Sequence, residues 1–429
     1  MIDAPASESA ARDDAVTLVT MGCRLNAAES DAMQALARSA GLRDAVIVNT
    51  CAVTGEAVRQ ARQAIRRARR DRPTATLIVT GCAAQIDPDA FAAMPEVDRV
   101  IGNAEKLTRD AFAPDGAERV RVADIMAVRE HAPHLVDAYS SRTRAYVQVQ
   151  NGCDHRCTFC VIPYGRGNAR SVPAGAVVEQ VAALVARGCP EVVLTGVDLT
   201  SWGGDLPGTP PLGNLVARLL KLVPDLAMLR LSSLDAIEMD PLLFDLVTTE
   251  PRIAPHLHLS LQHGHDLILK RMKRRHDRAA AVALCARLKA ARPSIALGAD
   301  LIAGFPTETE EHFAATLALI DDCELSYVHA FPFSARTGTP AARMPAVEGA
   351  LIKARAARLR DAGAAALARH LDRWVGREAT ALVEEPGRAR LGDFTPVRLT
   401  GVGEPPTAGA AVRVTLGRHD GQAMIGTIT

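Results

Sequence analysis

Three patterns of apolar and polar positions follow one another along the chain. Up to about residue 130, short runs rich in β-branched residues alternate with Ala/Arg-rich segments of helical period. In chain order these predicted elements are a strand at 16–20, a helix at 26–40, a strand at 45–49, a helix at 56–70, a strand at 76–80 and a short helix after Pro88. Such alternation predicts a parallel sheet with helices packed on it.

The alternation starts again at Arg144 and then gives way to a third pattern. Strands are predicted near 145–149, 191–195, 228–232, 257–261, 296–302 and 327–331, with helical stretches between most of them. Six β–α units are too few for a closed eight-stranded barrel and predict an open, partial (β/α)6 barrel. After an Ala/Arg-rich helix at about 348–371, four short strands between Gly/Pro turns are predicted at 379–384, 396–400, 411–416 and 423–428. They indicate a small all-β barrel.

The predicted fold class is therefore α/β, with three domains after a disordered tail at 1–14. The domains are an amino-terminal parallel α/β domain at 15–130, a partial barrel at 140–371 and an all-β module at 372–429.

Composition narrows the function classes. The 50 Lys and Arg against 49 Asp and Glu leave a net charge of +1, which excludes a uniformly basic nucleic-acid coat but not local patches. Aromatic residues make up only 3%, so a broad base-stacking platform is not expected. The acidic first residues do not fit a signal peptide, and no apolar run approaches the ~20 residues of a membrane span. We expect a cytoplasmic protein whose nine cysteines serve metal binding or catalysis.

The densest motif is NGCDHRCTFCVIPYGRG, in which Cys153, Cys157 and Cys160 form CxxxCxxC. Three thiolates can hold three irons of a 4Fe–4S cluster and leave the fourth iron open for a ligand. The motif follows the first barrel strand, at the end where such barrels place their active sites. The alternative is a structural zinc site with His155 as fourth ligand.

A second cysteine triplet is dispersed over the first domain. Cys23, Cys51 and Cys82 each follow a predicted strand by two or three residues. Carboxyl ends of parallel strands share one edge of a sheet, where ligands bind. We therefore expect the three thiols to meet and to hold a second iron–sulfur cluster, although a single such cysteine is usually a buried small side chain.

CxxxCxxC after the first strand of a six-unit α/β domain resembles the radical S-adenosylmethionine (SAM) superfamily, as does Phe159 before the third cysteine. Both triplets followed by a β module resemble the methylthiotransferases, over roughly 16–429. The matching motifs are LTGVDLTSWG (194–203), HLHLSLQHG (256–264), KRMKRRH (270–276) and DLIAGFPTETEEHF (300–313). The resemblance implies SAM chelated by the open iron, an auxiliary 4Fe–4S cluster that delivers sulfur, and an OB-like TRAM domain that grips the substrate.

Polar residues at the ends of predicted barrel strands are the candidate SAM contacts. They are Asp198, Ser232 and Gln262, to which the resemblance adds Arg274 near the SAM ribose. Many relatives have Glu or Gln after Gly196, where this chain has Val197, so we expect Asp198 to take over the contact with the amino group. By resemblance GFPTET (304–309) lines the adenine pocket; the alternative is a simple turn with Thr307 as the N-cap.

Two motifs favour one of three methylthiotransferase branches. GCRLN around Cys23 and NTCAVT around Cys51 are similar to the branch that modifies threonylcarbamoyl-adenosine in tRNA. The other branches modify isopentenyl-adenosine in tRNA and an aspartate of a small-subunit ribosomal protein. Arg24 suits the threonylcarbamoyl carboxylate through its planar fork, but a solvated arginine or a phosphate contact explains it equally.

Arginines on two elements are candidates for tRNA phosphate contacts. Arg62, Arg66 and Arg69 share one face of a predicted helix with few balancing acids. This face either binds tRNA phosphates or is a solvated surface, and the sequence leaves both interpretations possible. In the β module, Arg388, Arg390, Arg398 and Arg413 are spread over strands and turns, and Phe394 offers one stacking contact.

The resulting hypothesis is a tRNA-modifying enzyme that adds a methylthio group to C2 of threonylcarbamoyl-adenosine beside the anticodon. By family analogy, one SAM methylates sulfur at the auxiliary cluster and a second supplies the radical. Its implied partners are tRNA, an electron donor such as a flavodoxin or ferredoxin, and a sulfur source. The alternatives are the isopentenyl and ribosomal-protein enzymes and, from another class, a non-catalytic iron–sulfur or zinc RNA-binding protein.

Overall fold

The computed structural model describes residues 15–114, 118–129, 143–401 and 405–429. The predicted disordered tail at 1–14 and the expected boundary between the first two domains, at 130–142, lie outside these ranges.

A five-stranded parallel sheet forms the amino-terminal domain, in the order in which its strands occur in the chain. The strands are β1 (Val16–Thr20), β2 (Ala45–Thr50), β3 (Thr76–Gly81), β4 (Arg99–Ile101) and β5 (Val120–Arg121). The helices are α1 (Arg24–Ser39), α2 (Gly55–Asp71), α3 (Cys82–Ile86) and α4 (Pro88–Ala92). The last two strands were not predicted, because two or three residues are too few to show a periodic pattern.

The central domain contains six parallel strands in two groups of three, β10-β9-β6 and β11-β12-β13. A parallel bridge between Leu234 and Leu259 joins the groups, so the strands follow the predicted partial-barrel pattern. The strands of this domain are β6 (Ala145–Gln148), β7 (Gln150–Asn151), β8 (Arg170–Ser171), β9 (Val192–Thr195), β10 (Leu229–Leu231), β11 (His256–Gln262), β12 (Ala296–Ala303) and β13 (Leu325–Pro332). The helices are α5 (Ile162–Arg166), α6 (Ala174–Ala186), α7 (Leu212–Leu222), α8 (Pro241–Thr249), α9 (Asp266–Arg271), α10 (Arg278–Ala291), α11 (Glu310–Asp322) and α12 (Gly349–Asp372).

The two faces of the central strands differ in chemistry. On β11, Leu257, Leu259 and Leu261 are fully buried among the apolar residues of the domain's core. The alternate residues are polar, and His258 contacts Asp300 of the neighbouring strand at 2.8 Å. Successive strand residues point to opposite faces, so a dry face packs on helices and a polar face lines the interior of the partial barrel.

The carboxyl-terminal module is a closed five-stranded barrel in the order β14-β15-β16-β18-β17, as expected of an OB-like domain. Its strands are β14 (Glu378–Glu385), β15 (Arg388–Leu391), β16 (Pro396–Thr400), β17 (Ala411–His419) and β18 (Met424–Ile428). The turn between β15 and β16 lies against the beginnings of the central strands, where Arg230 donates to the carbonyl of Gly392 at 3.0 Å. The module therefore packs at the end of the partial barrel opposite the carboxyl ends of its strands.

Candidate active site

The CxxxCxxC loop lies just beyond β6 and β7, at the carboxyl end of the central strands. Its thiols have polar neighbours: Cys153 Sγ lies 3.6 Å from Asp198 Oδ2, and Arg274 Nη1 lies 3.6 Å from Cys157 Sγ. The backbone N–H of Ile162 donates to Cys160 Sγ at 3.5 Å. The structure thus gathers the three cysteines at the predicted edge.

These thiols are suited to a metal rather than to free thiolate chemistry. Burial raises the pKa of Cys153 well above its ordinary value and that of Cys160 to about 11. Without a metal, Cys153 and Cys160 are neutral at pH 7, whereas a bound metal deprotonates a coordinating thiol. Soft sulfur donors with N–H and guanidinium neighbours fit an iron–sulfur cluster. The alternative zinc site would use His155 as its fourth ligand. In the structure the Nε2 atom of His155 lies 2.9 Å from Asp198 Oδ2.

Asp198 lies beside the cysteine loop and is almost fully buried. Ser201 Oγ donates to its carboxylate at 2.7 Å, and its own backbone N–H donates to Gln150 Oε1 at 2.8 Å. Burial by itself raises the pKa of a carboxyl, but His155 and Ser201 reverse this and lower the pKa of Asp198. A contact with the amino group of SAM requires an ionised carboxylate next to the loop, and Asp198 provides one. The contact itself stays a prediction.

The other predicted SAM residues surround the same edge. Ser232 Oγ is buried without a hydrogen-bond partner among the described residues, which suits contact with a ligand. Gln262 ends β11 in a left-handed conformation with φ of 67°, beyond an irregularity in the pairing with β12. Arg274 donates from Nη2 to Asp235 Oδ2 and to the carbonyl of Ser260, both at 2.8 Å. Its guanidinium is therefore fixed between Cys157 and two strand ends.

Two members of this polar group, Asp235 and Glu238, were not among the predicted site residues, and His155 was named only as the ligand of the alternative zinc site. Thr200 donates to Glu238 at 2.9 Å, and hydrogen bonds to Asp198 and Glu238 raise the pKa of His155 to about 9. The signal was available for Asp235 and Glu238, since both are acidic residues a few positions after a predicted strand.

The turn at 304–309 is a strand-to-helix turn, but its cap differs from the expected one. Thr309, not Thr307, caps α11, and the backbone N–H of Thr309 donates to His312 Nδ1 in a capping box. Thr307 has a φ of 68°, which is incompatible with the extended backbone of an N-cap. Phe305 from this turn packs edge-on against Phe159 of the cysteine loop, with ring centroids 6.4 Å apart.

The second triplet occupies the carboxyl edge of the amino-terminal sheet. Cys51 directly follows β2, Cys82 begins α3 directly after β3, and Cys23, the exposed member, precedes α1. Gly22 allows the close approach: a Cβ there, at φ of 90°, would lie 2.8 Å from Cys51 Sγ. Burial raises the pKa of Cys51 to about 12, and Cys82 contributes further. The two thiols therefore lie close enough to interact electrostatically. The dispersed cysteines do meet, and their donor set fits a cluster.

A buried charge network links this triplet to the CxxxCxxC loop. Arg166 ends α5, is 1% exposed and donates from Nε to Cys82 Sγ at 3.1 Å. Its other nitrogens contact the carboxylate of Glu29 and the side-chain oxygen of Asn26. Lys106 Nζ, 0% exposed, lies 2.7 Å from Glu29 Oε2. Two buried cations share one carboxylate, so one positive charge remains to balance an anion at Cys82.

The predicted phosphate face on α2 is only partly available. Arg69 donates to the carbonyls of Ala75 and Glu96 and lies 2.6 Å from Asp98, so its guanidinium ties α2 to the sheet, which makes it the least suited of the three to a phosphate. Arg62 is half-buried, with its Cζ 5.8 Å from the centre of the Phe91 ring. Arg66 remains exposed and 3.8 Å from Glu96.

In the β module, Arg388 and Arg398 are exposed, whereas Arg390 and Phe394 are half-buried. Arg388 and Arg398 are paired across β15 and β16 and are 71% and 56% exposed, each with one acidic neighbour. Arg390 instead contacts Glu384 at 2.9 Å. Phe394 carries four guanidinium groups around its ring, so stacking on RNA is not its role here.

Comparison with known proteins identifies two family matches. Residues 147–320 match the Radical SAM superfamily, and residues 15–102 match the Uncharacterized protein family UPF0004. The chain is 50% identical to the threonylcarbamoyladenosine tRNA methylthiotransferase MtaB of Rickettsia prowazekii, over 89% of this chain and 90% of that one. It is 34% identical to the tRNA-2-methylthio-N(6)-dimethylallyladenosine synthase of Cereibacter sphaeroides, over 92% of this chain and 98% of that one. The chain belongs to the radical SAM methylthiotransferase family.

A solved structure supports the fold. The radical SAM methyltransferase TsrM from Kitasatospora setae aligns with a TM-score of 0.50 at 19% identity, covering 74% of this chain and 68% of that one. As a member of its family, the enzyme uses SAM and 4Fe–4S chemistry. Among the described residues, no helix combines the length and apolarity needed to cross a membrane.

Proposed function

We propose that this enzyme methylthiolates C2 of N6-threonylcarbamoyladenosine next to the anticodon of tRNA. The observation that carries the proposal is the juxtaposition of the two cysteine triplets. Helix α5, which follows CxxxCxxC, packs on α3, which begins at Cys82, and a Cβ on Gly165 would lie 3.1 Å from Cys82 Cβ. Cys82 also contributes to the raised pKa of Cys160. A sulfur-delivering group and a radical-generating group at these two triplets would therefore lie near one another, as action on one substrate requires.

In this proposal each triplet holds one 4Fe–4S cluster. When bound, the clusters supply an electron for SAM cleavage and a site where sulfur receives a methyl group, by analogy with the family. The chain's own residues bind and orient: the six cysteines provide thiolates, Asp198 and Arg274 hold SAM, and Arg166 balances charge at Cys82. A radical route is needed because the C2–H bond of adenine has no acidic proton for general base catalysis.

The choice of base rests on sequence similarity. Relatives 50% and 35% identical, from Rickettsia prowazekii and Aquifex aeolicus, are named for threonylcarbamoyladenosine. GCRLN around Cys23 and NTCAVT around Cys51 favour the same base. A flavodoxin or ferredoxin as electron donor, a separate sulfur source and a cytoplasmic location stay predictions.

The test is nucleoside mass spectrometry in two arms. tRNA from a deletion strain should lack the 2-methylthio derivative of threonylcarbamoyladenosine and regain it on complementation. Reconstituted enzyme should modify tRNA carrying threonylcarbamoyladenosine but not the same tRNA carrying isopentenyladenosine. Thiolation of only the isopentenyl tRNA would contradict the proposal, and the variant Cys51→Ala is the inactive control.

A further inference from the structure

Four arginines from all three domains surround the ring of Phe394. Their guanidinium carbons lie 4.3–5.4 Å from the ring centre. They come from the start of α1, the residue before β6, the middle of β10 and β15, and are Arg24, Arg144, Arg230 and Arg390. The ring thus marks a junction where positive charge is concentrated at the inner end of the partial barrel.

The carboxylates at this junction do not balance the arginines. Glu191 lies 2.8 Å from Arg144 and 2.6 Å from Arg230. Glu384 contacts Arg144 and lies 2.9 Å from Arg390. Four guanidinium groups therefore share two carboxylates, which leaves two positive charges without a carboxylate partner among the described residues.

The unsatisfied donors belong to three of the arginines. Arg144 Nη2 and Arg230 Nη1 are buried without a hydrogen-bond partner in the described part of the chain, and Arg230 as a whole is 1% exposed. Arg24 is half-buried and makes no hydrogen bond or ion pair to any described residue; its guanidinium lies over the Phe394 ring and interacts electrostatically with Tyr146 and Glu191. Burial lowers the pKa of Arg24, with Arg144 and Arg230 contributing repulsion. Buried donors are rarely left unpaired in a folded protein, so an anion is expected here.

We infer that Arg24, backed by Arg144 and Arg230, forms the binding site for the carboxylate of the threonylcarbamoyl group. This inference rests on the proposed function. Arg24 directly follows Cys23, so its guanidinium lies within one extended side chain of the backbone that brings sulfur to the substrate. In this proposal the base lies beside Cys23 and its N6 arm is directed at this guanidinium.

Chemistry favours a carboxylate over a backbone phosphate at this place. The junction is formed by the turn that carries Phe394, by the beginnings of the central strands and by α1, and two of its arginines carry buried donors. A carboxylate at the end of a flexible arm can approach such donors more readily than a phosphodiester within a continuous strand. The planar fork of arginine also matches a carboxylate in a bidentate manner. An apolar isopentenyl group would leave the same donors unpaired, so the site also discriminates between the two tRNA bases.

The test compares Arg24→Gln, Arg24→Lys and the matched control Arg38→Gln, an exposed arginine at the other end of α1. Steady-state methylthiolation of tRNA carrying threonylcarbamoyladenosine is followed by nucleoside mass spectrometry. Loss of one charge-assisted contact should lower kcat/KM by about 10- to 150-fold in Arg24→Gln, mainly through KM. Arg24→Lys should recover part of this loss, and Arg38→Gln should behave as wild type. Iron content and SAM cleavage without tRNA should be unchanged in all variants.

A second arm compares inhibitors and isolates the charge. Free threonylcarbamoyladenosine nucleoside should inhibit the wild-type enzyme more strongly than its methyl ester, and the ratio should fall to about one in Arg24→Gln. Adenosine monophosphate, an anion without the arm, should inhibit no better than the ester. Equal inhibition by acid and ester, or an Arg24→Gln enzyme as active as Arg38→Gln, would overturn the inference alone. Wild-type enzyme that acts only on isopentenyl tRNA would overturn the proposed function and the inference with it.

Discussion

Replacing Glu29 with Gln should destabilise the amino-terminal domain strongly, because it removes the only carboxylate of a buried network. Glu29 is 2% exposed and lies between Arg166 and Lys106. Gln keeps the shape but not the charge, so two buried cations lose their counter-ion. Breaking a buried ion pair by removing one partner typically costs about 3–5 kcal/mol.

The pKa of Glu29 gives an independent magnitude. Burial by itself raises this pKa, but Arg166 and Lys106 outweigh it and lower the pKa from 4.5 to about 2. At 1.36 kcal/mol per pKa unit, that difference corresponds to about 3 kcal/mol of folding free energy at neutral pH. Because the folded-state pKa is the lower one, this stability is complete above about pH 4.5 and is lost as the pH falls towards 2. Glu29→Gln should therefore be closest to wild type in acid.

The assay is urea unfolding of the iron-free protein followed by circular dichroism at pH 7 and pH 3, with hydrogen exchange of α1 peptides to locate the change. Lys106→Met should cost less, since it leaves Glu29 and Arg166 as a balanced pair. The surface control Glu56→Gln breaks an exposed pair with Arg59 and should have no measurable effect. A loss below about 1 kcal/mol for Glu29→Gln, or an equal loss at both pH values, would refute the charge-network argument.

The remaining predictions concern metal and tRNA. Reconstituted protein should contain about eight irons, and changing Cys153, Cys157 and Cys160 together to Ala should leave about four; retention of all iron, or the presence of zinc, would contradict two 4Fe–4S clusters. Arg388→Gln with Arg398→Gln should weaken tRNA binding and flatten the salt dependence by up to about two ions, at roughly 0.7–0.9 per phosphate contact. Filter binding at several salt concentrations measures this. An unchanged slope of affinity against salt would indicate that both arginines belong to a solvated surface that does not contact tRNA.

Local sequence pattern predicted most of the long elements and the placement of the cysteines after strands. The strand β1 and the strand β16 have the predicted limits, and the other predicted elements differ by at most three residues at either end, whereas β4, β5 and β15 were not predicted. Periodicity reports which face is apolar, and the carboxyl edge of a parallel sheet then follows from topology. That combination predicts that Cys23, Cys51 and Cys82 lie at one edge of the sheet.

Long-range polar pairing was not accessible in the same way. Arg166 is visible in PYGRG, but its partner Glu29 is 137 positions away and in another domain. In the sequence, Arg69 could not be distinguished from the exposed arginines beside it. In the structure its guanidinium donates hydrogen bonds to the carbonyls of Ala75 and Glu96. Phe394 and Arg390 looked like exposed residues of a small barrel, but the packing of that barrel on the central strands leaves both half-buried. In each case tertiary contact decided the role, and a single sequence carries no record of it.

The charges of this protein explain how an almost neutral chain can handle anionic ligands. Several surface arginines, such as Arg388 and Arg398, have an acidic neighbour. Among the described residues, positive charge without a balancing carboxylate is also buried in two places, around Cys82 and around Phe394. Coulombic attraction is much stronger in such low-dielectric surroundings than at the surface, and salt screens it less. The first place suits thiolates that carry a cluster, and the second suits a carboxylate on the base. Recognition of the substrate arm should therefore resist salt, whereas capture of the tRNA backbone should not, and the two dependences are separable in one enzyme.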